Sequence, residues 1–166
     1  MIKDLITKLA YEEISLSKAL TIAKIIAKKV GNRQFENWIK NELNGYPNDD
    51  SVSDYRKMYC VVKGNICDQW GRNEQIIPFN FENWGKDTQG HLHIQYFTQS
   101  ISALEANYEQ LDTDKGTFNF LPEQVKMLED AMQLQQTRQR ILRSAWREIP
   151  KLQLKNIVRT FYLFLI

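Results

Sequence analysis

The apolar spacing of this chain changes period near residue 50, and that change confines it to a mixed α and β fold. Ahead of the change, Ile2, Leu5, Ile6 and Leu9 recur every three or four residues, the spacing of one helical face. Asp4 and Lys8 form a supporting i,i+4 pair on its outer side. Glu12-Glu13 is a polar break, after which Ser15 or Ser17 can cap a second helix. The stripe of that helix is Leu20, Ala23, Ile26, Ala27 and Val30. Lys28 and Lys29 lie at the end where the helix dipole favours cations, and Gly31 supplies the left-handed residue beyond it. A third helix carries Phe35, Trp38, Ile39 and Leu43 and ends at Gly45-Tyr46-Pro47, because proline cannot continue it. The three helices predict an N-terminal bundle over residues 1–47.

Past the polar turn Asn48-Asp49-Asp50-Ser51, the stretch Tyr55 to Val62 is rich in aromatic and β-branched residues, with Met58, Cys60 and Val62 alternating onto one face, which predicts a strand. Gly64-Asn65 breaks it, and Ile66 to Trp70 is its returning partner in this reading. Pro78 argues against a central strand over Ile76 to Phe79. His91 to Phe97 is another strand candidate, and Ser100 or Ser102 opens a helix through Ile101, Leu104 and Tyr108. After a short extended piece at Phe118-Asn119-Phe120, Pro122 suits the first position of a long helix. That helix passes Val125, Leu128 and Met132 and continues toward Trp146. Pro150 interrupts, and a last helix sets Leu154, Ile157, Val158, Phe161 and Leu165 on one face, expected to pack back on the N-terminal helices. The expected fold class is α+β in a single domain: an N-terminal helical bundle, a small antiparallel sheet in the strand-rich middle at 54–120, and long C-terminal helices at 122–166.

A hydrophobic share of 43% in 166 residues is enough for a core without metal or disulfide staples. Two cysteines, Cys60 and Cys67, are too few for a secreted disulfide scaffold. The N-terminus lacks the basic and apolar regions of a signal peptide, and no apolar run approaches the roughly 20 residues that span a bilayer. These observations predict a cytoplasmic protein with no membrane role. The net charge of +2 and the mixing of signs weigh against nucleic acid, whose binders carry a basic stripe.

The residues capable of chemistry each have a plainer reading. His91 and His93 would share a strand face and could point at one metal, but a structural zinc site needs four ligands and the cysteines lack the spacing to complete it. A nucleophile pair of Cys60 or Cys67 with His91 is conceivable, yet on an apolar strand face Cys60 behaves as a small hydrophobe. Glu12-Glu13 and Asp49-Asp50 sit in polar turns, unlike the desolvated carboxylates of acid–base catalysis. The phosphate-loop, dinucleotide, zinc-protease and nucleophile-elbow motifs do not occur. No catalytic residue, metal or cofactor is therefore expected. Of Arg138, Arg140, Arg143 and Arg147, the last three have same-face spacing on a helix, a strip suited to phosphate or an acidic partner, although the small net charge favours a solvated face. Trp70, Trp84 and Tyr96 are either core or anchors of a binding surface.

The third helix and its exit read Phe35-Glu36-Asn37-Trp38-Ile39-Lys40-Asn41-Glu42-Leu43-Asn44-Gly45-Tyr46-Pro47. This resembles the signature of the AbiTii domain, a bacterial abortive-infection family, and Glu42 to Tyr46 is its most specific part. The resemblance extends to Ser15 to Leu20, Val30-Gly31-Asn32, Tyr55-Arg56, Val62 to Asn65, Gln99 to Glu105, Ala145-Trp146-Arg147 and Ile157-Val158-Arg159, so it spans nearly the whole chain. It implies a role in anti-phage defence and brings no catalytic residues to carry over. Members of the family often place this domain ahead of other segments. The end at Phe164-Leu165-Ile166 then fits either a minimal member or a shortened piece.

Read without the family, the block is a structural corner: Trp38 and Leu43 point inward, Asn44 bonds nearby backbone, Gly45 leaves the helix and Pro47 stops it. Turn chemistry leaves Tyr46 unexplained. Together with Trp70, Trp84, Arg140, Arg143 and Arg147 it makes the candidate interaction surface. The reading that follows is a non-enzymatic module acting through a partner protein or through self-association. A metal-dependent enzyme or nuclease-like toxin around His91, His93 and the acids near Asp87 comes second, and a nucleic-acid sensor using the arginines third.

Overall fold

The computed structural model describes residues 4, 5, 7, 8, 11, 13–81, 91–132 and 139–165, the last helix beyond Ile157 by its backbone with Thr160. The chain divides into two compact units, neither continuous in sequence: 1–57 with 96–114 and 151–166, and 58–95 with 115–150.

The first unit is helical. Asp4, Leu5, Thr7 and Lys8 are helical, and the Lys8 amine lies 3.2 Å from the Asp4 carboxylate. Helix α1 spans Leu16–Val30, and the Ser15 hydroxyl caps it by accepting from the Lys18 amide. Gly31 closes it at φ 74°, a conformation that costs a residue without Cβ little. Helix α2 spans Arg33–Asn44, opened by the Asn32 side chain on the Phe35 amide at 3.1 Å. Leu16, Ala19, Leu20, Ala23 and Ala27 make the buried face of α1, which packs on α2. Val30, counted in the stripe by spacing, is 74% exposed because it is the last residue of its helix. Two 3-10 turns, Asp49–Ser51 and Asp54–Arg56, follow. Helix α3, Ile101–Glu109, starts from a Ser100 cap. The unit is completed by α5, Lys151–Leu165, which packs on α3, α1 and the Asp54–Arg56 turn with Leu154 and Ile157 buried.

Strands β1, Lys57–Tyr59, and β4, Ile94–Tyr96, form a two-stranded ladder. The main sheet has four antiparallel strands in the order β3, β2, β6, β5: Gln75–Pro78, Val61–Asp68, Arg140–Pro150 and Lys115–Asn119. Helix α4, Pro122–Ala131, packs on β6. Val62, Ile66, Phe79, Phe81, Phe120, Leu128, Leu142 and Ala145 form the core between them. Gly64 admits the Phe79 ring, since a Cβ there would stand 2.4 Å from it.

The α+β class holds, with several elements placed differently from the periodicity. Gly64-Asn65 does not break β2, because its missing side chain is what lets Phe79 pack. The partner of β2 is β3, with Pro78 at the end of this sheet-edge strand, where it removes no ladder bond that matters. His91–His93 is a helical turn, and only Ile94–Tyr96 is extended. The largest departure is β6. The expected long helix stops at Ala131, and residues 140–150 are the longest strand. Asn65 pairs with Ser144 and Ile66 with Leu142, leaving Arg143 as the extra residue of a bulge. A bulge shifts the alternation by one, so Leu142, Ala145 and Ile149 are all buried at spacings of three and four that imitate a helix.

Candidate functional site

The signature helix carries its polar centre on the inside. Glu42 lies three residues after Ile39, on the same face of α2, and both are fully buried. The carboxylate meets Arg56, at the end of the second 3-10 turn, and neither side chain is exposed. Arg56 Nη2 donates to Glu42 Oε2, and Nε donates to Oε1 at 3.2 Å. The Tyr46 and Tyr55 hydroxyls donate to the same Oε1, so the carboxylate accepts from four donors, three on Oε1 and one on Oε2. The other terminal nitrogen of Arg56 donates to the carbonyls of Phe97 at 3.0 Å and Gln99 at 2.7 Å. Trp38 Nε1 donates to the Tyr55 oxygen at 3.2 Å, and Ser53 lies 3.2 Å from the Tyr46 hydroxyl. The guanidinium also sits 5.2 Å over the Tyr46 ring, a favourable cation–π contact.

Burial first, and then the Glu42 carboxylate, push both phenols above their ordinary range. They are therefore protonated donors, and neither is poised as a base or nucleophile. Next to them the chain passes backbone against backbone: the Tyr46 amide donates to the Thr98 carbonyl at 2.7 Å. Gly45 has φ 92°, and a Cβ on it would stand 2.8 Å from that same oxygen. Chemically the cluster ties the end of α2, the second 3-10 turn and the 97–99 strand exit into one anchor.

A second charged cluster lies on the sheet. Glu148 accepts from Trp146 Nε1 at 3.0 Å and pairs with Lys63 and Lys115, each at 2.9 Å. The Trp146 bond and then the two lysines, working against partial burial, hold its carboxyl down at about 2.

The residues singled out in the sequence are scattered. Tyr46 is buried, so its hydroxyl serves Glu42 and is not turned toward a partner. Trp70 is 70% exposed at the tip of the β2–β3 turn, where Asp68 accepts from the Trp70 and Arg72 amides. Tyr96 is half-buried at the end of β4. Glu12, Trp84, Asp87 and Arg138 lie outside the described residues.

The arginines do not make a helical strip, because they stand on a bulged strand. Arg140 donates to Gln75 at 3.2 Å, and Arg143 pairs with Glu74. Arg147 is held inside the second unit on the carbonyls of Leu92 and His91, 4.2 Å over the Phe120 ring. His91 and His93 share no strand face: His93 Nδ1 lies 3.1 Å from the Cys60 carbonyl and its ring meets the edge of Phe81. The Cys60 thiol donates to the His93 carbonyl at 2.9 Å, and burial pushes it up to about 11, the reverse of an activated thiolate. Cys67 is buried. Among the described residues no three His, Cys, Asp or Glu side chains are grouped to hold a metal, and no helix is long and apolar enough to cross a membrane.

Glu42 and Arg56 do not stand out as a pair in the sequence. The available signal was a carboxylate in register with Ile39 on the inward face of an amphipathic helix, which demands a buried cation.

The AbiTii family model matches residues 1–161, almost the entire chain, and the chain belongs to that family. Its name points to abortive-infection defence against phage. No curated protein and no solved structure matches the chain.

Proposed function

We propose that this AbiTii chain serves abortive infection in the cytoplasm as a non-enzymatic module, working through protein contacts. One observation carries the reading: the most specific residues of the signature are spent on a closed anchor. Glu42 and Arg56 are fully buried with their donors and acceptors matched. Catalytic groups need access to a substrate and shifted, available protons. This cluster offers neither, and its role is to hold a shape.

The contact surface of this reading lies where apolar groups face water. On the second unit Val61 is 51% and Ile76 64% exposed. Ile76 pairs with Asn65 and Trp146 with Lys63. Since Val61, Lys63 and Asn65 alternate with buried Val62 and Ile66, all three apolar groups stand on the outer sheet face. Trp70 extends the exposed set at the hairpin tip. Aromatic and apolar anchors of this kind dominate interfaces.

The test is Val61→Glu combined with Ile76→Glu. Neither site is buried, so circular dichroism and melting temperature should stay at wild-type values, while phage plating on cells expressing the variant should recover. Full restriction by the variant, or stoichiometric manganese or zinc supporting hydrolysis of a nucleic acid by the wild type, would overturn the contact reading.

A further inference from the structure

Residues 14–35 hold five cations, Lys18, Lys24, Lys28, Lys29 and Arg33, and no acid. All but the half-buried Lys24 are exposed. Among the described residues none of the five takes part in an ion pair, although eight such pairs occur elsewhere. Lys18, Lys28 and Lys29 fall on the solvent face of α1 around Ile25, which is 54% exposed.

The countercharge is on the same unit. Residues 96–114 hold Glu105, Glu109, Asp112 and Asp114 and no lysine or arginine. Glu109, Asp112 and Asp114 are exposed, and none of the three has an ion pair among the described residues. Glu109 repels the half-buried Glu105, whose carboxyl is raised chiefly by burial. Lys151, whose amide donates to the Asp114 carbonyl, turns its ammonium onto the Leu111 carbonyl and the Tyr108 ring and leaves the carboxylates open. Half-buried Leu111 and Leu152, 67% exposed, supply apolar surface beside the acids.

We infer that the α1 face of one copy docks on the acidic exit of α3 in a second copy, joining copies head to tail. Two features favour a second copy over a lipid or nucleic-acid surface. The protein is nearly neutral at +2, so a local excess of five cations is balanced on its own surface, and the acids that balance it are similarly unpaired. Each patch also carries apolar surface, Ile25 on one and Leu111 with Leu152 on the other, which a nucleic-acid phosphate backbone would not reward. Such a contact is heterologous and can extend beyond two copies. It rests on the reading above that the chain works through protein contacts, and adds a second contact, on the first unit, whose partner is another copy.

Sedimentation velocity on the full chain tests it. Association should be present in about 0.1 M salt and weaken steeply toward about 1 M, where the screening length falls from about 10 Å to about 3 Å. Lys28→Glu with Lys29→Glu should be monomeric, and so should Glu109→Lys with Asp112→Lys. Mixing the two variants should restore a one-to-one complex, because the reversed patches complement each other. A monomeric wild type at low salt, or variants that remain apart when mixed, overturns the inference. Monomeric wild type that binds phosphatidylserine vesicles or labelled DNA through the lysines overturns it in favour of that ligand. If self-association fails while Val61→Glu with Ile76→Glu still abolishes phage restriction, only the second-copy docking falls and the contact reading stands.

Discussion

Glu42 and Arg56, fourteen residues apart, face each other with no exposed side-chain surface on either. Removing two charges from water is costly, and the pair is tolerated because the carboxylate meets the guanidinium and two phenol hydroxyls, four donors in all. Breaking one side should therefore be far worse than removing both. Glu42→Ala should destabilise the fold by about 3–5 kcal/mol by stranding Arg56. Glu42→Leu combined with Arg56→Met should cost less than the sum of the single changes. Urea midpoints in a double-mutant cycle give the coupling, and a strictly additive result would mean the two charges do not meet in solution.

Gly45 and Gly31 both have positive φ, but only Gly45 is crowded. Its φ 92°, ψ 164° lies in a region that is nearly glycine's alone. Gly31→Ala should cost about 1–2 kcal/mol, the ordinary left-handed penalty. Gly45→Ala adds a Cβ 2.8 Å from the Thr98 oxygen, and its loss should be clearly larger, with the segment at Thr98 displaced. Thermal melts of the two variants compare them directly, and equal losses would contradict the close approach.

Local signals made the helices legible. Ser15, Asn32 and Ser100 cap their helices through short-range bonds that the sequence spells out, and Gly31 ends α1 where spacing puts the stop. The anchor was not legible to the same degree. Glu42 finds Arg56, and Arg56 in turn donates to the Phe97 carbonyl 41 residues beyond it, and no local pattern encodes those partners. The strand β6 hides in the sequence for a different reason. Its bulge at Arg143 converts a two-residue period into burial spacings of three and four, and an arginine-rich stretch with that spacing looks like a helix face. Spacing puts Trp70 at the end of a returning strand, Ile66 to Trp70; its place at a hairpin tip, and with it its exposure, emerges only with the β2–β3 pairing.

Ile157 and Leu152 lie on the same helix with opposite surroundings. Ile157 is 1% exposed and Leu152 67%. Helix α5 packs on α3 and α1, so Ile157→Ala should cost about 2–5 kcal/mol by removing packed atoms and leaving a cavity. Leu152→Ala should stay within about 0.5 kcal/mol, as a surface change does. Guanidinium unfolding of both variants decides this, and a small loss at Ile157 would mean that the helix is not docked in solution.

Acid should weaken the second unit through Glu148. Its carboxyl is held at about 2 against an ordinary 4.5 by the Trp146 indole and by Lys63 and Lys115, with partial burial opposing them. A carboxyl depressed on folding binds fewer protons in the native state than in the unfolded chain, so stability rises with pH between the two values. The contribution is fully present above about 4.5 and is lost as pH falls through about 2. Glu148→Gln keeps a partial acceptor for the indole but carries no charge, so its stability should change less than that of wild type across this window. The two proteins should converge at the acid end. Denaturant midpoints measured at steps between pH 6 and pH 2 trace the difference, attributed to this one group by linkage. A gap between wild type and variant that stays constant down the whole range would show that Glu148 contributes through shape and not through charge.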